Sequence, residues 1–176
     1  MKAEARSANS SVESLAFVAL GSNLGDAVQN VRAAIQRLAE LSAAPVRVSS
    51  LWRTAPVDCP PGSPPFVNAL VALTPRPGET PESLLLKLQA LECEFGRVRT
   101  GARNAPRPLD LDLIAFGDET RCTAALTLPH PRAHLRRFVL QPLSEIAPDL
   151  VLPGQTRTVA ELLAALGTTE RLERLT

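Results

Sequence analysis

The 176-residue chain carries 19 Lys and Arg against 18 Asp and Glu, a formal net charge of +1, and only 3% aromatic residues. Its length suits one domain with a core that needs no covalent staples, while near-neutral charge and few aromatics argue against nucleic acid as a partner. No apolar run reaches the length of a membrane-spanning helix, and three widely spaced cysteines (Cys59, Cys93 and Cys122) with no C-x-x-C point to a reducing, cytoplasmic setting.

Residues 1–14 are polar and rich in Ser and Ala, with no apolar stretch of a secretory signal, and read as a disordered lead-in. Residues 15–176 read as a single domain. The apolar run 15–20 (LAFVAL) is a buried strand, ended by the turn and cap cluster Gly21-Ser22-Asn23. Apolar residues at 24, 28, 31, 35 and 38 form the stripe of a first helix. Residues 46–54 read as a second strand, with Val46, Val48 and Ser50 on one face and Arg47, Ser49 and Leu51 on the other. A Pro-rich irregular loop leads to a third strand, 66–73 (FVNALVAL).

The second helix takes Thr80 as N-cap and Pro81 at its first position. It buries Leu84, Leu88, Leu91 and Phe95, with Gln89 and Glu92 at the margin of the stripe, within reach of a neighbouring cleft. A fourth strand covers 109–116. An irregular Pro-rich segment, a short helix at 138–143 and a last helix opened by the capping box Thr158 and Glu161 complete the chain. The order β-α-β-β-α-β predicts an α+β, ferredoxin-like (split βαβ) antiparallel sheet with its main helices packed on one face. Long loops and a C-terminal extension are expected over the other face, around a cleft.

The most informative segment is 97–116. Arg97, Arg99, Arg103 and Arg107 lie within eleven residues, with no lysine among them, in a stretch containing Gly101 and Pro106. Guanidinium groups grip phosphate oxygens in a planar, bidentate way that lysine does not copy. Asp110 and Asp112 follow on a strand, so both project to one face, about 7 Å apart at Cα, while Leu109, Leu111 and Leu113 face the other way. Two carboxylates so placed beside a core repel one another unless a cation compensates them. Mg2+ takes such oxygen ligands together with substrate phosphates and water. His130 and His134, with Cys122 upstream, lack a fourth ligand for zinc, and the hard Asp-x-Asp pair is the better metal site.

Several motifs, in this order, resemble those of the 6-hydroxymethyl-7,8-dihydropterin pyrophosphokinase family. They are Leu20-Gly21-Ser22-Asn23-Leu24-Gly25-Asp26, Arg53-Thr54-Ala55-Pro56, Phe66-Val67-Asn68-Ala69 and Gly96-Arg97-Val98-Arg99. Then come Pro106-Arg107-Pro108-Leu109-Asp110-Leu111-Asp112, Leu128-Pro129-His130-Pro131, and Phe138-Val139-Leu140-Gln141-Pro142-Leu143 with Glu145-Ile146-Ala147-Pro148. The resemblance implies pyrophosphate transfer from ATP to the hydroxymethyl group of a reduced pterin, with release of AMP, in folate biosynthesis.

By the same resemblance Asp110 and Asp112 hold two Mg2+ ions, and Arg97 and Arg107 are catalytic on the phosphates. Gln89, Glu92, Arg99, Arg103, Thr127, His130 and Arg136 line the ATP side. Thr54, Val57, Phe66, Asn68 and Phe138 take the pterin, the phenylalanines by stacking and Asn68 through both hydrogen-bond polarities. A monomer is the default expectation. Four positions depart from the family's usual residues: Asn104-Ala105 where many members have Trp-Gly, Pro108 for Thr, and Ala125 for Arg. Two other readings stay open at this stage: a different metal-dependent nucleotidyl- or phosphotransferase, and a catalytically silent nucleotide-binding paralogue.

Overall fold

The computed structural model describes residues 14–56, 59–97 and 105–176. Val57, Arg99, Arg103 and Asn104 lie outside the described residues, as does the lead-in up to residue 13. The apolar run at the start becomes β1 (Ala16–Ser22). The chain turns through Gly25, at φ 69, into α1 (Ala27–Leu41), whose first turn is capped by the Asp26 carboxylate accepting from the Gln29 N–H. Val31, Ala34 and Leu38 are buried on α1, with Val28 and Ile35 packed beside them. Leu24 is not part of that stripe: it precedes the helix and is 48% exposed.

The expected second strand is two pieces, β2 (Arg47–Val48) and β3 (Leu51–Thr54). The break has a physical cause. The Ser49 hydroxyl accepts the Leu70 N–H at 2.9 Å and is buried, while the Ser50 N–H donates to Glu145 at 2.6 Å. Side-chain groups thus replace the regular ladder, the alternation slips, and Val48 is left exposed while Val46 and Leu51 share the core. β4 (Phe66–Leu73) is buried along its whole length. α2 (Pro81–Glu94) opens as expected at Thr80, with reciprocal Thr80–Ser83 capping, and buries Leu84, Leu88 and Leu91.

β5 (Asp110–Phe116) completes the split βαβ unit, and a ribbon of β6 (Arg121–Cys122) and β7 (Thr127–Leu128) follows, where irregular chain was expected. A 3-10 turn (Ala133–Leu135) leads into α3 (Arg137–Ile146), and α4 (Val159–Ala165) begins at the Thr158–Glu161 capping box. The last element, β8 (Leu172–Leu175), is a strand that the sequence pattern did not announce.

Among the described residues the sheet order is β5-β1-β4-β3-β8, with β2 also on β4, and every pairing is antiparallel. This is the ferredoxin-like order, extended at one edge by β8. One face of the sheet packs Val18, Leu20, Val67, Val71, Leu111 and Leu113 against α1 and α2. The other packs Phe17, Leu70 and Ile114 against Val139, Leu140 and Leu143 of α3, with α4 behind it. That second face is covered by two helices of the C-terminal segment rather than by loops. The covering stops short of the strand ends at Gly21, Phe66 and Asp110, and a cavity remains there.

Candidate functional site

Strand register builds the site. Gly21 of β1 pairs with Asn68 of β4 on one side and Asp110 of β5 on the other; Ala19 pairs with Asp112, and Thr54 of β3 with Phe66. Asp110 and Asn68 are therefore two strands apart in one row, about 10 Å, with the side-chain-free Gly21 between them. A Cβ on Gly21 would stand 3.1 Å from Asn68 Oδ1 and 3.6 Å from the Phe66 ring. Glycine is what keeps this floor open.

The cavity above the floor is about 750 Å3, counting space open to solvent, which is within the range of small-molecule pockets. It is lined by Thr54, Phe66 and Asn68, by Arg107, Asp110 and Asp112, and by Arg132, Arg136 and Phe138 from the approach to α3 and its first turn. Four of the five residues expected to take a pterin thus share one space with the acidic pair and two of the expected arginines. Asn68 is held by donating its amide N–H to Thr54 Oγ1 at 2.7 Å, so its carbonyl oxygen faces the cavity side of Gly21. An acceptor fixed in this way is complementary to an amide or amine edge.

Asp110 and Asp112 project to the cavity face, and Leu111 and Leu113 to the opposite core. Asp110 receives Arg97 at 2.5 Å and Arg107 at 2.9 Å. Asp112 is pushed up to about 6, first by burial and then by the neighbouring Asp110 charge, with Arg136 and Arg107 pulling the other way. A cation beside the pair would favour the ionised form of Asp112. Among the described residues no group of three or more His, Cys, Asp or Glu side chains could hold a metal, so an ion on this pair would complete its shell with water and ligand oxygens, as Mg2+ does.

Arg97 also pairs with Glu92. Burial opposes its charge, but Asp110 and Glu92 outweigh that and hold the guanidinium above its ordinary pKa. Glu92 is 3% exposed and accepts the Leu111 N–H at 2.8 Å, which satisfies a donor on β5, an edge strand of the described sheet. Its side chain is a strut between α2, β5 and Arg97. Two cations of the cavity meet aromatic faces: Arg107 lies 5.6 Å from the Phe66 centroid and Arg136 5.4 Å from that of Phe138.

His130 Nδ1 accepts the Arg132 N–H at 3.2 Å, which leaves the ring proton on Nε2 as a donor. Burial, then the Arg136 and Arg132 charges, lower its pKa to about 4, so the ring is neutral at physiological pH. Gln89 is half-buried on α2 and Thr127 is exposed on β7; neither they nor Glu92 and His130 line the cavity itself. Two residues of this region went unnoticed in the sequence. Arg132 lines the cavity, its only signal being a third basic residue beside His130 and Arg136. Asn23, read as a turn residue, bonds the Arg107 backbone.

A model of the 7,8-dihydro-6-hydroxymethylpterin-pyrophosphokinase (HPPK) family matches residues 17–148. The 2-amino-4-hydroxy-6-hydroxymethyldihydropteridine pyrophosphokinase of Pseudomonas aeruginosa is 43% identical over 162 residues, 90% of this chain and 95% of that protein. The enzyme of the same name from Haemophilus influenzae is 40% identical over 149 residues, 84% of this chain and 90% of its own. Among solved structures, a Plasmodium falciparum HPPK-DHPS triple mutant superimposes with a TM-score of 0.67 at 14% identity, a likeness of fold. It covers 86% of this chain, which spans 43% of that longer one. With the acidic pair and the whole lining of the cavity inside the matched region, the chain belongs to the 7,8-dihydro-6-hydroxymethylpterin-pyrophosphokinase family.

Proposed function

We propose that this protein transfers pyrophosphate from MgATP to the hydroxymethyl group of 6-hydroxymethyl-7,8-dihydropterin, releasing AMP, a step of folate biosynthesis, and that the cavity at the ends of β1, β4 and β5 is where it does so. The observation that carries the reading is the sharing of that one cavity by Asp110, Asp112, Arg107 and Arg136 with Thr54, Phe66, Asn68 and Phe138. A charged half suits a polyphosphate, and a flat, aromatic-walled half with a fixed acceptor suits a pterin ring.

The hydroxymethyl oxygen attacks the β-phosphorus, the bond from that phosphorus to the oxygen shared with the α-phosphate breaks, and AMP leaves with that oxygen. The hydroxyl proton passes to solvent. Catalysis of such a step rests on in-line placement and on neutralising the phosphate oxygens. Asp110 and Asp112 would hold two Mg2+ ions, which would supply positive charge to offset that developing on the phosphate oxygens. Arg97 and Arg107 then turn from Asp110 to the phosphates, and Arg136 supplies further positive charge from the α3 side. Arg99 and Arg103 are assigned to the same task. Gln89, Glu92, Thr127 and His130 form the nucleotide side, with His130 neutral and donating from Nε2. Thr54, Val57, Phe66, Asn68 and Phe138 take the pterin. A cytoplasmic monomer is part of the same reading; Cys59, Cys93 and Cys122 are unbridged.

The deciding experiment incubates the purified full-length chain with MgATP and 6-hydroxymethyl-7,8-dihydropterin and follows nucleotide products. AMP in step with pterin pyrophosphate supports the proposal. Formation of ADP points to a phosphotransferase of another kind, and no turnover with saturating substrates to a silent paralogue; either refutes it.

A further inference from the structure

We infer that Asn23 is a positioning residue for this reaction, one that sets the place of Arg107 and of the Phe66 wall against the floor of the cavity; the inference rests on the proposed action of Arg107 on the phosphates. Asn23 follows β1 directly and is 3% exposed. Its backbone N–H donates to the Arg107 carbonyl at 3.1 Å, and its side-chain Oδ1 accepts the Arg107 N–H at 2.9 Å. The remaining amide donor, Nδ2, reaches the Pro64 carbonyl at 3.2 Å. Donor and acceptor are assigned without ambiguity, since one partner is an N–H and the other a carbonyl.

The consequence follows from where those partners lead. Arg107 stands three residues before Asp110 and holds its carboxylate at 2.9 Å, with the guanidinium 5.6 Å from the Phe66 ring. Pro64 stands two residues before Phe66, which lines the same cavity. One buried amide therefore ties the charged wall and the aromatic wall to the end of β1, whose Gly21 is the floor between them. No other side chain of that length offers one donor and one acceptor: Asp lacks the donor, Ala lacks both, and Gln is a methylene too long.

The test measures AMP formation by wild type, Asn23→Ala, Arg107→Ala and the double variant, with folding checked by thermal melting. Asn23→Ala is expected to lower kcat roughly ten- to hundredfold, as loss of a buried geometry-setting bond does, with the KM for ATP changed much less. In the Arg107→Ala background the same substitution should cost less than about threefold further, because residues that act as a unit are non-additive. Asn23→Asp keeps the acceptor for the Arg107 N–H and loses the donor to Pro64, so its kcat should stay closer to wild type while the KM for pterin rises. Equal losses in the two backgrounds, or a wild-type kcat in Asn23→Ala, overturn the inference while leaving the role of Arg107 intact. An Arg107→Ala single variant with wild-type kcat overturns that role, and the inference with it.

Discussion

Replacing Asp112 by asparagine separates the cost of the acidic pair to the fold from its service to the reaction. Burial first, and the neighbouring Asp110 charge second, push the Asp112 carboxyl up to about 6 from an ordinary 3.8. The native state thus holds this proton more tightly than the unfolded chain does. Stability from this group is present in full below pH 3.8 and is lost as the pH rises through about 6. Above that window the ionised form costs up to roughly 3 kcal/mol, from 2.2 units at 1.36 kcal/mol each. Asp112 keeps part of its surface in contact with solvent, and screening there brings the figure nearer 1–2 kcal/mol.

Asn is neutral at every pH, so Asp112→Asn should make the metal-free chain more stable by about 1–2 kcal/mol near pH 7.5, with the gain shrinking to nothing towards pH 4. Saturating MgATP should reverse the order, because only the wild type gains a compensated charge. Turnover should fall by about three orders of magnitude or more in the same variant. Urea denaturation with EDTA at several pH values, followed through Trp52, the chain's only tryptophan, reads the effect directly. A variant less stable than wild type at pH 7.5, or one whose advantage grows on acidification, refutes the account of the pair.

Gly21→Ala places a methyl 3.1 Å from Asn68 Oδ1, and Asn68 is tethered to Thr54, so steady-state kinetics should show the KM for pterin raised about tenfold or more and that for ATP much less; equal changes in both would reject the floor assignment. Glu92→Leu takes the side-chain acceptor from the Leu111 N–H and one of the two carboxylates from Arg97, which keeps Asp110, and should lower unfolding free energy by about 2–4 kcal/mol; unchanged stability would reject the strut. His130, lowered to about 4 from 6.5, favours a neutral native state, so its stabilisation is complete above pH 6.5 and lost as pH falls towards 4. After allowance for its partial exposure the loss is about 1–2 kcal/mol. Acid denaturation of His130→Gln should lack that component, and an unchanged acid limb would contradict it.

What could be read from the chain alone depended on local patterns. Alternation around Asp110 and Asp112 was legible because polar and apolar residues trade places every second position, and the structure sends them to opposite faces as read. Thr80-Pro81 and Thr158 with Glu161 were legible as helix starts because capping chemistry acts within one turn. Ser49 was not, since its buried hydroxyl serves a backbone N–H on β4, a partner 21 residues away. β8 escaped for a similar reason. Leu172–Leu175 is short, at an edge, and carries its two charged residues side by side with no alternation, and it is a strand because β3 offers it a ladder and Arg53 meets Glu173 across it. Asn23 was legible only as a turn residue, because the partner that its side chain holds stands 84 residues further on.

The two halves of the cavity are less separable than a division into pterin and phosphate residues implies. Phe66 faces Arg107 and Phe138 faces Arg136, so each aromatic wall also sets the position of a cation that the proposed reaction assigns to the phosphates. Arg107 in turn is shared between Phe66, Asp110 and the Asn23 clamp, and its Nε is buried with no hydrogen-bond partner among the described residues. A buried donor left unmatched costs free energy, and an incoming phosphate oxygen is the kind of acceptor that would relieve it. Removing either ring should therefore disturb nucleotide affinity as well as pterin affinity. The chemistry requires such a shared frame: the hydroxymethyl oxygen and the β-phosphorus must meet in line, and a wall that touches both ligands fixes their relation more tightly than two independent pockets would.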